Sequence, residues 1–172
     1  MPFQWVDPAL SELPRAGEAP AAIALRLAVE KAQAVTGRFP GALVIGSDQV
    51  ASLDGGVLGK PGNHRNALKQ LHMLSGRTAQ FDTGLALVDG FSQQVRSRLV
   101  SCRVSFRILT DEVIGAYLGR EQAYDCAGSA KTEALGIALI SAIEGPDPTA
   151  LIGLPLIALT DLLQEAGMPV LG

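Results

Sequence analysis

The chain has 172 residues, which suits one folded domain with a substantial core, or two small lobes sharing a cleft. Fourteen Lys+Arg against 17 Asp+Glu leave a net charge of −3. That balance excludes the broad basic surface that nonspecific nucleic-acid binding needs, while a few local cations would still serve a phosphate-bearing small molecule. Cys102 and Cys126 lack CxxC spacing, and neither a signal peptide nor a bilayer-length apolar run is evident. The expectation is a reduced, soluble, cytoplasmic protein with no membrane partner.

Met1 to Gly17 reads as irregular, because Pro2, Pro8 and Pro14 interrupt any long element, and Glu12 is its one informative side chain. A helix follows over Ala21 to Val35, with Pro20 at its first position and Ile23, Leu27, Ala28, Ala34 and Val35 near one face. Glu30 and Lys31 interrupt that stripe. A lysine so placed is solvated unless an anion lies beside it. Gly37 and Pro40 then stop the helix.

The stretch from Ala42 to Pro61 organises the chain. Leu43, Val44 and Ile45 form a short apolar run suited to a buried strand, which breaks at Gly46 into Ser47, Asp48 and Gln49. Ligands of open α/β sheets bind just past the carboxyl ends of strands, so Asp48 stands where a catalytic carboxylate is expected. An Asp54-Gly55 hairpin turn would fold the chain back and return Lys60 toward it. The alternative is a surface hairpin with a solvated Asp and Lys.

Asn63 to Leu74 reads as a second helix, with Ala67, Leu68, Leu71 and Leu74 on one face and Gly76 beyond its end. Its histidines, His64 and His72, lack the spacing of a paired metal site. Thr78 to Val88, an Asp89-Gly90 turn and Gln93 to Ile108 read as a long β-hairpin that projects as a second lobe. Arg96, Arg98, Arg103 and Arg107 fit a solvated strand face better than a nucleic-acid track, since no aromatics are interleaved. Thr110 or Asp111 caps a short helix through Leu118, and a polar loop, Asp125 to Gly136, leads to an apolar strand at Ile137 to Ile143. Pro155 opens a last helix in which Ile157, Leu159, Leu162 and Leu163 are mostly core.

Familiar phosphate motifs fail. The first glycine of a P-loop ending at Lys60 is Asp54, and Pro61 follows the lysine. There is no Gly-x-Gly-x-x-Gly after a strand and no Gly-x-Ser-x-Gly elbow. What survives is a carboxylate and lysine cluster suited to metal-assisted attack of water on a phosphate.

Glu18-Ala-Pro, Arg26-Leu-Ala-Val-Glu-Lys-Ala, Ile45-Gly-Ser-Asp-Gln-Val, Leu53-Asp-Gly, Gly59-Lys-Pro, Leu74-Ser-Gly-Arg-Thr, Thr83-Gly-Leu-Ala-Leu, Cys126-Ala-Gly-Ser, Glu144-Gly-Pro-Asp-Pro and Gly153-Leu-Pro-Leu occur in the order seen in Maf proteins. The chain resembles the Maf nucleoside triphosphate pyrophosphatases, most closely the YceF-like branch described as 7-methyl-GTP pyrophosphatases. The resemblance implies a single α/β domain over 1–172 with the inosine-triphosphatase-like fold: a mixed twisted sheet, flanking helices and a central cleft between two lobes. It also implies a cytoplasmic enzyme that cuts between the α- and β-phosphates, releasing nucleoside monophosphate and pyrophosphate with a divalent cation, Mg²⁺, Mn²⁺ or Co²⁺.

Carried over by position, Asp48 matches the family's catalytic proton acceptor and a metal ligand, and Glu12 a second metal ligand. Lys31 and Lys60 match phosphate-binding positions. Gln49 and Glu133 fall where substrate choice is set; the other branch typically has Thr after the Asp. A carboxylate at Glu133 would accept from N1–H and the exocyclic amine of guanine, with an ordinary exposed loop acid as the alternative. The family's first strand, arginine loop and first helix have no counterpart here, and Met1-Pro-Phe-Gln-Trp-Val aligns with the strand that follows them. The exposed sheet edge this implies suits a homodimer. Competing functions are dTTP/UTP hydrolysis by the same chemistry, and a nucleotide-binding regulator that lost catalysis with the arginine loop.

Overall fold

The computed structural model describes residues 3–172. All of its strands belong to one sheet: β1 (Leu43–Leu53), β2 (Gly56–Leu58), β3 (Thr78–Asp89), β4 (Val95–Phe106) and β5 (Ile140–Glu144), in the spatial order β2-β1-β3-β4-β5. Every ladder is antiparallel, where the family likeness implied a mixed sheet. Tight turns join β1 to β2 and β3 to β4, and such turns can only reverse the chain. At the first of them Asp54 and Gly55 have φ of 50° and 81°, the left-handed pair that a type I′ hairpin needs.

β1 runs straight through Ser47, Asp48 and Gln49, which pair with Leu85, Gly84 and Thr83 of β3. The expectation that the strand ends before Asp48 is therefore corrected. A continuous ladder satisfies the backbone there, so polar side chains do not end the strand. The β3–β4 hairpin does not project as a lobe either. It forms the middle of the sheet because β1 pairs with nearly the whole length of β3.

One face is covered by α1 (Pro20–Thr36), which has Pro at its start as expected. Ala28, Ala32 and Val35 pack on Val44, Ala86 and Val88, while Ile23, Ala24 and Leu27 pack on Val50. Ala34 is exposed, correcting its assignment to the apolar face, because the stripe follows Ala28, Ala32 and Val35 at helical spacing.

The other face carries α2 (His64–Leu74), α3 (Asp111–Arg120) and α4 (Leu156–Glu165). Asn63 caps α2 by accepting from the Asn66 N–H, and Thr110 caps α3 through Val113. Leu71, Leu74, Ile114 and Leu118 pack with Phe81, Val104 and Phe106, and Leu159, Leu162 and Leu163 of α4 cover Leu85 and Leu87. Ile157 faces solvent, contrary to the reading of it as core.

The strand expected from Ile137 starts only at Ile140, because Leu135–Leu139 coils into a 3₁₀ turn. Gly136 forces that turn: its N–H bonds the Lys131 carbonyl at 2.9 Å, and an added Cβ would lie 2.5 Å from the same oxygen. The strand expected at the chain start does not form. Met1 and Pro2 lie outside the described residues, and Phe3 to Val6 are irregular, with Phe3 and Trp5 in solvent and no strand alongside.

Candidate active site

Neighbouring residues of a strand point to opposite faces, so β1 sends Asp48 toward α1 and Gln49 toward the loops on the far side. Each has its own surroundings.

On the α1 face, Lys31 Nζ lies 2.6 Å from Asp48 Oδ1 and 2.6 Å from Glu12 Oε1, while Lys60 Nζ lies 3.6 Å from Glu12 Oε2. The four residues singled out from sequence thus form one chain of alternating charge. Glu12 is held there by a clamp on the irregular N-terminal segment. Arg26 of α1 donates to both oxygens of Glu18 and to Glu30, and Arg15 donates to Glu30. The Arg26 guanidinium and the Arg15 N–H bring the Glu18 carboxyl down to about 2.

The Asp48 side chain is 10% exposed, so it is not the solvated carboxylate of the surface-hairpin alternative, whereas Lys60, at 65%, is largely in water and pairs with Glu12; the cation against Asp48 is Lys31, 19% exposed. Burial raises the Asp48 pKa, outweighing the pull of Lys31 in the other direction. Burial also opposes the charge on Lys31, but hydrogen bonds to Asp48 and Glu12 prevail and raise its pKa. Glu12 is lowered, chiefly by its bond to Lys31. The cluster therefore combines a firmly charged ammonium with a carboxylate whose basicity is enhanced.

Lys31 Nζ takes up Asp48 Oδ1 and Glu12 Oε1, which leaves Asp48 Oδ2 and Glu12 Oε2 as the hard oxygens these residues could offer a cation. That suits an ion of the Mg²⁺ type, which takes one or two carboxylates and completes its shell with water and phosphate. Among the described residues no three His, Cys, Asp or Glu side chains gather into a closed metal cage. His64 lies 3.1 Å from the Tyr124 hydroxyl and His72 3.6 Å from Asp111, and neither contacts the four charged residues.

On the opposite face, Gln49 and Glu133 line one cavity of about 110 Å³, with Phe81, Cys126, Leu151 and Ile152 as apolar walls. Glu133 is exposed at its mouth. The Gln49 side-chain amide donates to the carbonyls of Ala150 (2.8 Å) and Leu151 (3.2 Å) and to the Thr83 hydroxyl (3.1 Å).

The 3₁₀ turn that supplies those carbonyls, Ala150–Ile152, is itself anchored. Ser47 Oγ lies within hydrogen-bond distance of the carbonyls of Gly153 (2.7 Å) and Gly84 (2.9 Å), and buried Asp147 accepts from Thr149 N, Thr149 Oγ1 and Ile157 N. Thr83 and Asp147 stand inside stretches that carry the family resemblance, but neither is given a role by the sequence. Asp147 also opens an Asp-x-Thr turn ahead of Pro155; the partners of Thr83 are remote in the chain, so its role has no local signal.

A family model described as Maf-like protein matches residues 1–166. The chain belongs to the Maf family. Among curated relatives of this Maf-like chain, a protein named 7-methyl-GTP pyrophosphatase from Cupriavidus pinatubonensis is 54% identical over 167 residues, covering 97% of this chain and 84% of the relative. Proteins of the same name from Ralstonia nicotianae and Bordetella pertussis are 54% and 52% identical, covering 99% and 98% of this chain and 88% and 83% of their own lengths. No helix among the described residues of the Maf-like chain is long and apolar enough to cross a membrane.

Proposed function

We propose that this chain is a nucleoside triphosphate pyrophosphatase acting on 7-methyl-GTP or a related modified nucleotide in the cytoplasm, releasing the monophosphate and pyrophosphate. The observation that carries the reading is the 2.6 Å contact of Asp48 with Lys31, inside a cluster that Glu12 and Lys60 complete. The name shared by the relatives directs the choice of substrate.

In this reading Asp48, made more basic by burial, accepts a proton from the water that attacks the α-phosphorus. The bond from that phosphorus to the bridging oxygen breaks, and the pyrophosphate leaves with its added charge offset by Lys31 and Lys60. Asp48 and Glu12 would hold a divalent cation, Mg²⁺, Mn²⁺ or Co²⁺, which when bound would supply Lewis-acid stabilisation of phosphate charge. On the far side of β1, Glu133 accepts from the donor edge of a guanine. A pyrimidine that cannot donate there leaves the acceptor unpaired and is disfavoured.

The test is pyrophosphate release from 7-methyl-GTP, GTP, dTTP and UTP with each cation in turn. Turnover that prefers 7-methyl-GTP supports the proposal, and turnover preferring dTTP or UTP overturns the substrate assignment. Calorimetric binding of nucleotide without turnover replaces the enzyme with a regulator.

A further inference from the structure

The Gln49 amide is held in one orientation by its surroundings. Two of its partners, the carbonyl oxygens of Ala150 and Leu151, can only accept, so the amide nitrogen has to face them. Its third partner, Thr83, is 1% exposed, sits directly across the ladder from Gln49, and spends its own hydroxyl proton on the Ala150 carbonyl at 3.0 Å. The Thr83 oxygen is thereby left as an acceptor for the amide, at 3.1 Å. Donors and acceptors in this triangle match in only one sense.

The consequence falls on the other end of the amide. Among the described residues nothing donates to Gln49 Oε1, and no fully buried side-chain oxygen lacks a partner, so that oxygen is accessible, on a residue that lines the cavity. Together with the Glu133 carboxylate it gives the cavity two acceptors and no competing amide donor from Gln49.

We propose that Thr83 is a positioning residue for base selection: by accepting from the Gln49 amide and donating to Ala150, it keeps the Gln49 carbonyl turned toward the bound base. The inference rests on the reading of this cavity as the base site. Without the Thr83 hydroxyl the amide keeps only the two loop carbonyls of its three anchors, so its oxygen is aimed less tightly and its bond to the N–H edge of guanine weakens relative to any contact with uracil.

The test pairs a structural readout with a binding readout. In Thr83→Val, which keeps the shape and loses the hydroxyl, the Gln49 side-chain amide protons, assigned in NMR spectra by their loss in Gln49→Leu, are expected to exchange faster with solvent. Calorimetry is expected to show the preference for 7-methyl-GMP over UMP falling about tenfold, the value of one hydrogen bond to a buried polar partner. Thr83→Ser, retaining the hydroxyl, keeps both properties, which a purely packing role for the threonine methyl would not predict. Thr83→Ala serves if the valine variant does not fold.

Unchanged amide exchange and unchanged preference in a folded hydroxyl-free variant overturn the proposal. Equal binding of the two mononucleotides by the unmodified protein overturns instead the base-site reading, and the amide exchange then still decides whether Thr83 holds Gln49.

Discussion

A Cβ built on Gly46 would lie 2.2 Å from the carbonyl oxygen of Ala28, so strand β1 and helix α1 touch backbone to backbone. Gly84 on β3 makes the same approach to Ala24, also at 2.2 Å. This seating brings Lys31 over Asp48. Gly46→Ala or Gly84→Ala has no flexible neighbour to displace and forces the helix outward. Each is expected to lose about 1–3 kcal/mol or more of stability in chemical denaturation, and to lose pyrophosphate release beyond what the unfolded fraction explains.

Lys31→Met leaves Asp48 and Glu12 facing one another without the ammonium between them. The Asp48 pKa, already raised by burial, rises further when its lysine partner is removed. The acid limb of the kcat/KM profile should therefore move to higher pH, with kcat falling about 10²-fold or more. Asp48→Asn should remove that limb along with nearly all turnover. A Lys31→Met profile superimposable on the original would show that the ammonium does not govern the carboxylate.

Asp147 predicts an acid-sensitive loop. Burial opposes its ionisation, yet the Thr149 hydroxyl and the N–H groups of Thr149 and Ile157 hold its pKa below the ordinary 3.8. A carboxyl depressed on folding stabilises the native state above its unfolded pKa, and that stability disappears as pH falls through the folded value. Urea unfolding should show Asp147→Asn weaker by about 1–2 kcal/mol at pH 6. The gap should shrink below pH 4, and a constant gap would contradict the assignment.

Cys126 should be a poor nucleophile although it lines the cavity. Burial and the neighbouring Asp125 carboxylate push its thiol up to about 11. Alkylation by iodoacetamide is expected to be slow at pH 8 and to accelerate toward pH 11, followed by mass spectrometry of the modified peptide. Rapid labelling at pH 7 would refute this.

Much of this architecture can be read from local chemistry. Pro20, the Asn63 cap, the Asp54-Gly55 turn and the Leu71–Leu74 face each act within a few residues, and the elements they mark stand where expected. The charged cluster was also legible, because residue type and motif order pointed to Glu12, Lys31, Asp48 and Lys60. Other features depend on pairing between distant segments. Asp48 lies inside a strand because β3 supplies a partner for it, and Leu135–Leu139 coils because Gly136 closes on Lys131. The Gln49–Thr83–Ala150 triangle spans a sheet ladder and a loop far along the chain, beyond the reach of any periodicity.

Asp48 and Gln49 share a peptide bond yet serve opposite sides of the sheet, and that fixes the route of any molecule that engages both. β2 pairs only with Ala51–Leu53, so along Leu43–Val50 the margin of β1 away from β3 has no neighbouring strand among the described residues. In the proposed reading, a nucleotide with its phosphates at Asp48 and its base beside Glu133 would straddle this margin, with the sugar across the rim. Length along that path, as well as the identity of the base, would then bear on which nucleotides fit.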